Sequence, residues 1–205
     1  MFKHILCAAM GRSGSHAIAR WVHAQYPEHL KSTVHSDPVA GEVPTFRRYL
    51  TEKPSEYIVF RQECIVIRRL AQYAMELGVD MDVFSDSKRL VYGWRDPWNH
   101  FAALLRYYER DNRHSDHASR LSVIHRMYIP NHKVILKNVL GIGRRCLPES
   151  AVFLNYNEWF RSESYRNEIA GRLRLPTSHK GLSVVWIGSG FDNVTDATKL
   201  SVFDS

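Results

Sequence analysis

The sequence predicts an α/β fold, a parallel sheet covered by helices on both faces, and three observations predict it. Compact apolar runs that stop abruptly at turns recur at 2–10, 89–94 and 151–156. Strands buried on both sides look like this. Between them lie segments whose apolar residues repeat at helical spacing. A Gly/Ser-rich turn, Gly11-Arg12-Ser13-Gly14-Ser15, joins the first strand to the first helix. Strands alternating with helices favour a parallel sheet.

Taken in order, the run 2–10 reads as the first strand and ends at Gly11. Beyond the turn, Ala17, Ile18, Trp21 and Val22 keep helical spacing to about Tyr26, and Pro27 stops the helix. A short β-like run at 31–35 closes at Ser36-Asp37-Pro38. The stretch 39–54 holds prolines, a glycine and basic residues, and is expected to be irregular or loosely helical. Residues 57–60 form a β-type run, and 65–77 carry helical spacing up to Gly78, a good C-terminal stop. The strand 89–94 ends at Arg95-Asp96-Pro97 and hands over to a helix at about 98–109, with Phe101, Leu104, Leu105 and Tyr108 on one face. Residues 111–119 are polar, a loop or a helix start; 121–128 is expected to be helical and 133–139 is ambiguous. After the strand 151–156 a helix is expected over 164–173, and the tail from Gly181 holds one apolar run, 183–187.

A chain of 205 residues, 44% apolar and 12% aromatic, fits one domain with a core that needs no disulfide or metal. Cys7, Cys64 and Cys146 are odd in number and widely spaced, so neither a zinc ribbon nor a disulfide framework is indicated. A reducing, cytoplasmic setting is the natural expectation. The formal charge of +7 favours an anionic partner. Basic and acidic residues interleave and no basic block occurs, so a nucleic-acid groove is not expected. Residues 1–10 hold one Lys and a short apolar run, unlike a secretory signal, and no stretch is long enough to cross a bilayer.

The turn between first strand and first helix carries the chemistry. A helix N-terminus offers unpaired N–H groups and partial positive charge, which suit a phosphate. Glycines let the backbone curl around oxygens, Ser13 and Ser15 add hydroxyls, and Arg12 adds a permanently charged fork. No Lys follows Gly14, which disfavours an ATPase or kinase of the Walker type. The bland alternative is a turn that merely connects a strand to a helix.

Several segments together resemble the sulfotransferase family. That family's 5′-phosphosulfate loop follows the first strand and runs Pro or Gly, a basic residue, Ser, Gly and a hydroxyl residue, as 11–15 do. Its second signature, a strand ending in Arg, Asp or Asn, and Pro before a helix, is matched by Val91-Tyr92-Gly93-Trp94-Arg95-Asp96-Pro97. A strand with a Tyr-containing turn, then a helix ending in a Leu-Gly-Leu-Pro-like run, is matched by Phe153-Leu154-Asn155-Tyr156-Asn157-Glu158-Trp159 and Leu173-Arg174-Leu175-Pro176. Gly188-Ser189-Gly190-Phe191 looks like the family's last nucleotide loop. The matches fall in family order along nearly the whole chain.

The resemblance implies a doubly wound, mostly parallel sheet in a three-layer sandwich like that of P-loop NTPases. It implies an enzyme that moves a sulfuryl group from 3′-phosphoadenosine-5′-phosphosulfate to a hydroxyl or amine of a small-molecule or carbohydrate acceptor, with no metal required; no membrane partner is expected, for want of a spanning stretch. Arg12, Ser13, Gly14, Ser15 and His16 would hold the 5′-phosphosulfate, Arg95 the 3′-phosphate, and Tyr156 would lie near the adenine. Eight positions after its Arg the family usually has a Ser, a second ligand of the 3′-phosphate; here that position is Ala103, with Arg106 or Tyr107 one turn along as alternatives. His16 likewise stands where a hydroxyl residue is common.

Sulfuryl transfer resembles phosphoryl transfer, an in-line displacement with charge on peripheral oxygens. Arg12 and the loop N–H groups suit the leaving 5′-phosphate. A general base is needed for an alcohol acceptor; the candidates are His35, Glu63 and Asp37, each just beyond a strand or near its end. His114 and His117, with Asp116, form a pair without further ligands and read as a solvated loop rather than a metal site. Two other functions compete. One is a non-catalytic nucleotide binder with an eroded site, which Ala103 favours; the other is a divergent phosphate-loop kinase. The segments 39–56 and 111–133 are expected to border an acceptor pocket.

Overall fold

A computed structural model of the chain describes residues 1–27, 30, 33–36, 44–52, 55–62, 67–78, 87–110, 116–143 and 146–176. The opening apolar run forms β1, His4–Ala9, with all six residues buried. The turn leads into α1, Ser15–Ala24. There follow β2 (Thr33–Ser36), α2 (Pro44–Thr51), β3 (Ile58–Gln62) and α3 (Ile67–Glu76). Then come β4 (Lys88–Trp94), α4 (Pro97–Arg110), α5 (His117–Val123), a π-helical stretch (Ile124–Tyr128) and α6 (Ile129–Val139). The described chain closes with β5 (Val152–Asn155), α7 (Tyr156–Arg161) and α8 (Glu163–Arg172).

The five strands lie in the order β2-β3-β1-β4-β5, and every neighbouring pair is parallel. Successive residues of a strand face opposite sides, and β1 divides its side chains accordingly. Leu6 and Ala8 pack with Tyr49 and Leu50 of α2, Leu70 and Ala74 of α3, and Val134 and Ile135 of α6. Ile5 and Cys7 pack with Ile18, Trp21 and Val22 of α1, Trp159 of α7, and Ile169 and Ala170 of α8. Helices therefore cover both faces, and the architecture is a three-layer α/β arrangement around an all-parallel sheet.

The connection leaving β1 travels past β3 to β2 at one edge, whereas the chain leaving β4 ends in β5 at the other. The paths diverge between β1 and β4. In open α/β sheets the crevice outside the C-terminal ends of such strands is where ligands bind. The Gly/Ser turn follows β1, and Arg95 follows β4.

Two segments turned out more regular than their sequence suggested. Within 39–54 lies α2, held by Tyr49 and Leu50 against the sheet. The buried Lys88 Nζ donates to the carbonyls of Tyr49 (2.6 Å) and Leu50 (3.1 Å), satisfying the last turn of that helix. The ambiguous 133–139 is helical, with His132, Val134, Ile135 and Asn138 buried. The final strand stops one residue early, because the Asn155 side chain accepts from Asn157 N at 3.0 Å and caps α7, which starts at Tyr156. The π-helical stretch sits just ahead of Pro130. Proline lacks an N–H and its ring strikes the carbonyl four residues back, and the helix widens there.

Among the described residues no helix is long and apolar enough to cross a membrane. Cys7 and Cys146 carry free thiols, and burial pushes the Cys7 thiol up to about 12. The tail run 183–187 and Cys64 lie outside the described residues.

Candidate functional site

At the end of β1 the chain turns tightly: Ser13 N donates to the Met10 carbonyl at 3.2 Å. Arg12 (φ 65) and Gly14 (φ 83) both take left-handed backbone. Gly14 is the N-cap of α1 and provides no side-chain cap. The leading N–H groups of α1 thus lack a capping side chain, and the helix presents its positive end to the turn. Ser13 and Ser15 are buried, 0% and 2% exposed. Ser15 Oγ has no hydrogen-bond partner, nor does Arg12 Nε. The Arg12 guanidinium lies over the Tyr107 ring on α4, 4.8 Å from its centroid.

Tyr156 rests on this turn. A Cβ added at Gly14 would come within 2.1 Å of the Tyr156 ring. On the ring's other contacts, Phe160 is stacked at 6.1 Å and the buried Arg95 guanidinium lies 5.5 Å from the centroid. Burial raises the Tyr156 hydroxyl above its ordinary pKa, and the Arg95 charge acts against that rise. Gly14, Tyr156 and Arg95, from three separate parts of the sequence, are brought together.

The Arg95-Asp96-Pro97 sequence has a local physical logic. Arg95 directly follows the last residue of β4, and Asp96 caps α4 by accepting from Asn99 N (2.9 Å) and Asn99 Nδ2 (2.7 Å). Pro97 opens the helix, where its missing N–H costs nothing. The buried face of α4 is then His100, Ala103, Leu104 and Tyr108. Ala103 is wholly buried, so the position where the family has a Ser lies in the core. Arg106 is exposed, and Tyr107 lies under Arg12.

Sequence reasoning missed two histidines. His100, fully buried, places Nε2 2.7 Å from the Gly11 carbonyl and 3.4 Å from Ser13 Oγ. Its Nδ1 is 2.7 Å from Nε2 of His132 on α6. Burial chiefly lowers the His100 pKa to about 3; the Gly11 hydrogen bond opposes this, while His132 and Arg95 add to it. Burial also lowers His132 to about 4, with Asp96 acting in the opposite direction. Both imidazoles are neutral at physiological pH. A signal existed: a His on the buried stripe of a helix needs a partner, and both histidines sit on such stripes.

The remaining candidates are scattered. His16 is half-buried in the first turn of α1. His35 lies in the edge strand β2, its backbone opposite Phe60, which is in turn opposite Leu6 of β1. That register sets it two strands away from β1 and several residues short of the turn. Glu63, Asp37, Gly188, Ser189, Gly190, Phe191 and His114 lie outside the described residues. His117 is exposed at the start of α5, and Asp116 caps that helix by accepting from Ser119 N at 2.8 Å. Among the described residues no three His, Cys, Asp or Glu side chains gather as a metal site would require.

Beside the site runs an apolar cleft of about 900 Å³ between α4 and the α5–α6 segment, walled by Trp98, Phe101, Leu105, Leu121, Ile124 and Ile129. Phe101 separates it from His132, its ring 5.3 Å away and perpendicular. With this geometry in hand, comparison with known proteins adds no identity: no protein-family model matches the chain, and no curated protein matches it.

Proposed function

We propose that the chain is a sulfotransferase, built like a P-loop NTPase, that binds 3′-phosphoadenosine-5′-phosphosulfate across the C-terminal ends of β1 and β4. The observation that carries this is the convergence of the left-handed Gly/Ser turn with Arg95, through Tyr156, where the sheet's connections diverge. Ser15 Oγ, buried without a partner at the head of α1, supports an anion there.

In this reading Arg12, Ser13, Gly14, Ser15 and His16 hold the 5′-phosphosulfate, and Arg95 takes the 3′-phosphate. Tyr156 moves off Gly14 to stack on the adenine, and residues 188–191 complete the nucleotide site. The acceptor oxygen attacks sulfur in line with the departing 5′-phosphate, whose negative charge Arg12 and the loop N–H groups stabilise. A general base takes the acceptor's proton, with His35, Glu63 and Asp37 the candidates; the place of His35 two strands from β1 counts against it. An acceptor with an apolar body suits the cleft beside α4, whose volume lies in the range of small-molecule pockets. No metal enters the scheme. The protein works in a reducing, cytoplasmic setting.

A second reading has its own support. Ala103 offers no ligand for the 3′-phosphate, and Tyr156 covers Gly14 while Ser13 and Ser15 are shielded. These features suit a nucleotide-binding protein that no longer catalyses transfer.

Thermal shift with 3′-phosphoadenosine-5′-phosphate against ADP tests the donor assignment. Stronger stabilisation by the 3′-phosphorylated nucleotide is expected, and Arg95→Ala should erase the difference. Equal stabilisation, or none, rejects the assignment. Transfer from labelled donor to a panel of hydroxylated apolar acceptors then separates the active enzyme from the silent binder.

A further inference from the structure

The contacts of His100 fix where its proton lies. A backbone carbonyl only accepts, so the 2.7 Å contact with Gly11 O puts the proton on His100 Nε2. A neutral imidazole has one N–H, so His100 Nδ1 accepts, and His132 Nε2, 2.7 Å away, must donate to it. His132 Nδ1 is then bare, and it is indeed a buried nitrogen without a hydrogen-bond partner. The chain of donors runs one way, from His132 through His100 to the Gly11 carbonyl.

That carbonyl belongs to the peptide between Gly11 and Arg12. The peptide is trans, as are all those described, so its C=O and N–H point in opposite directions. Holding the carbonyl against α4 turns the Arg12 N–H away from α4. Rotating this peptide plane by half a turn would put a carbonyl oxygen where the Arg12 N–H now lies, exchanging a group that attracts an anion for one that repels it. The same rotation would carry Arg12 out of its left-handed backbone, φ 65, which is unfavourable for a residue with a side chain. The backbone alone therefore favours the flip, and the hydrogen bond from His100 opposes it.

We propose that His100 and His132 are positioning residues of the anion-binding turn, a neutral two-imidazole strut that keeps the Gly11–Arg12 peptide in the orientation an anion requires. The proposal rests on the anion site described under the proposed function and adds to it the device that sets its geometry. Neither histidine touches the ligand. Their burial, 0% and 3% exposed, keeps them from exchanging partners with water.

The test uses the full chain at neutral pH. Long-range 15N–1H spectra of the free protein with labelled histidines should show both His100 and His132 protonated at Nε2 and bare at Nδ1. Binding of 3′-phosphoadenosine-5′-phosphate and of pyrophosphate is then measured by calorimetry. His100→Phe should weaken both by roughly tenfold, the size of one lost hydrogen bond. His100→Gln keeps a donor near Nε2 and should bind within roughly threefold of the parent. His132→Phe removes the donor to Nδ1 but leaves the Gly11 carbonyl in place, so the His100 proton should stay on Nε2 and affinity should fall less than in His100→Phe. A His100 proton on Nδ1 in the parent overturns the strut whatever binds. Equal affinity in the Phe and Gln variants overturns it while leaving the anion site standing. Failure of the parent to bind either ligand rejects the anion site itself.

Discussion

Gly14 shows how a single missing Cβ shapes the site. Its left-handed backbone disfavours any other residue by about 1 kcal/mol, and a Cβ there would also enter the Tyr156 ring at 2.1 Å. Gly14→Ala should therefore lower Tm and remove nucleotide-induced stabilisation. Adding Tyr156→Ala should recover the steric part but not the backbone part, so a double-mutant cycle read by denaturant unfolding should give a clear coupling energy. Ser15 is expected to behave in the opposite sense. Its hydroxyl is buried and unpaired in the free protein, so Ser15→Ala should leave stability unchanged or raise it by about 1 kcal/mol. The same substitution should weaken nucleotide binding; lost stability with intact binding would show that the hydroxyl serves the core instead. That a turn joins β1 to α1 here was legible, because glycine and serine between an apolar run and a helical pattern break both. His100 was not legible. Its partners are a carbonyl on another element and a ring on a third, and no local pattern encodes a contact across such distances in sequence.

At the scale of elements, the legible ones were those whose own residues decide their conformation. Runs such as Ile5-Leu6-Cys7-Ala8-Ala9 are apolar throughout because both faces are covered. The start of α4 is equally self-determined, since Asp96 caps and Pro97 opens it. Asp96→Ala should cost about 1 kcal/mol by chemical denaturation. It should also weaken nucleotide binding by loosening the strand end that carries Arg95, whereas unchanged binding would mean that Arg95 is held by its own packing. By contrast α2 owes its existence to tertiary contacts. Tyr49 and Leu50 find the sheet, and its last carbonyls find Lys88 from β4; nothing within 44–51 announces either. The α5–α6 segment contains Pro130, which a widened turn accommodates without ending the helix.

For the whole molecule, a parallel sheet with two covered faces was legible from pattern, whereas the strand order was not. That order depends on pairings such as His4 with Ile58 and Lys88, which no local spacing reveals. Among the described residues the fold buries three histidines, His4 at one end of β1 and the His100–His132 pair at the other. Burial is the largest cause of lowered pKa in each, to about 4 for His4, about 3 for His100 and about 4 for His132, from the ordinary 6.5. In the unfolded chain these groups take up protons as pH falls through 6.5, whereas in the folded chain they do so only near 3 to 4. The unfolded state then binds more protons, so stability is full above neutrality and lost as the medium is acidified below 6.5. Each group contributes a slope approaching 1.4 kcal/mol per pH unit, about 4 for the three together, against a typical total of about 5–15 kcal/mol. Tm should fall steeply between about pH 6.5 and 5, before most carboxylates titrate. Net charge is already +7 and grows on acidification, so self-repulsion offers a competing cause. Salt separates the two, because it screens exposed charges and leaves buried groups nearly untouched. The acid slope should persist at high ionic strength and shrink by about a third in His4→Gln; a slope that vanishes with salt would assign the effect to the surface instead.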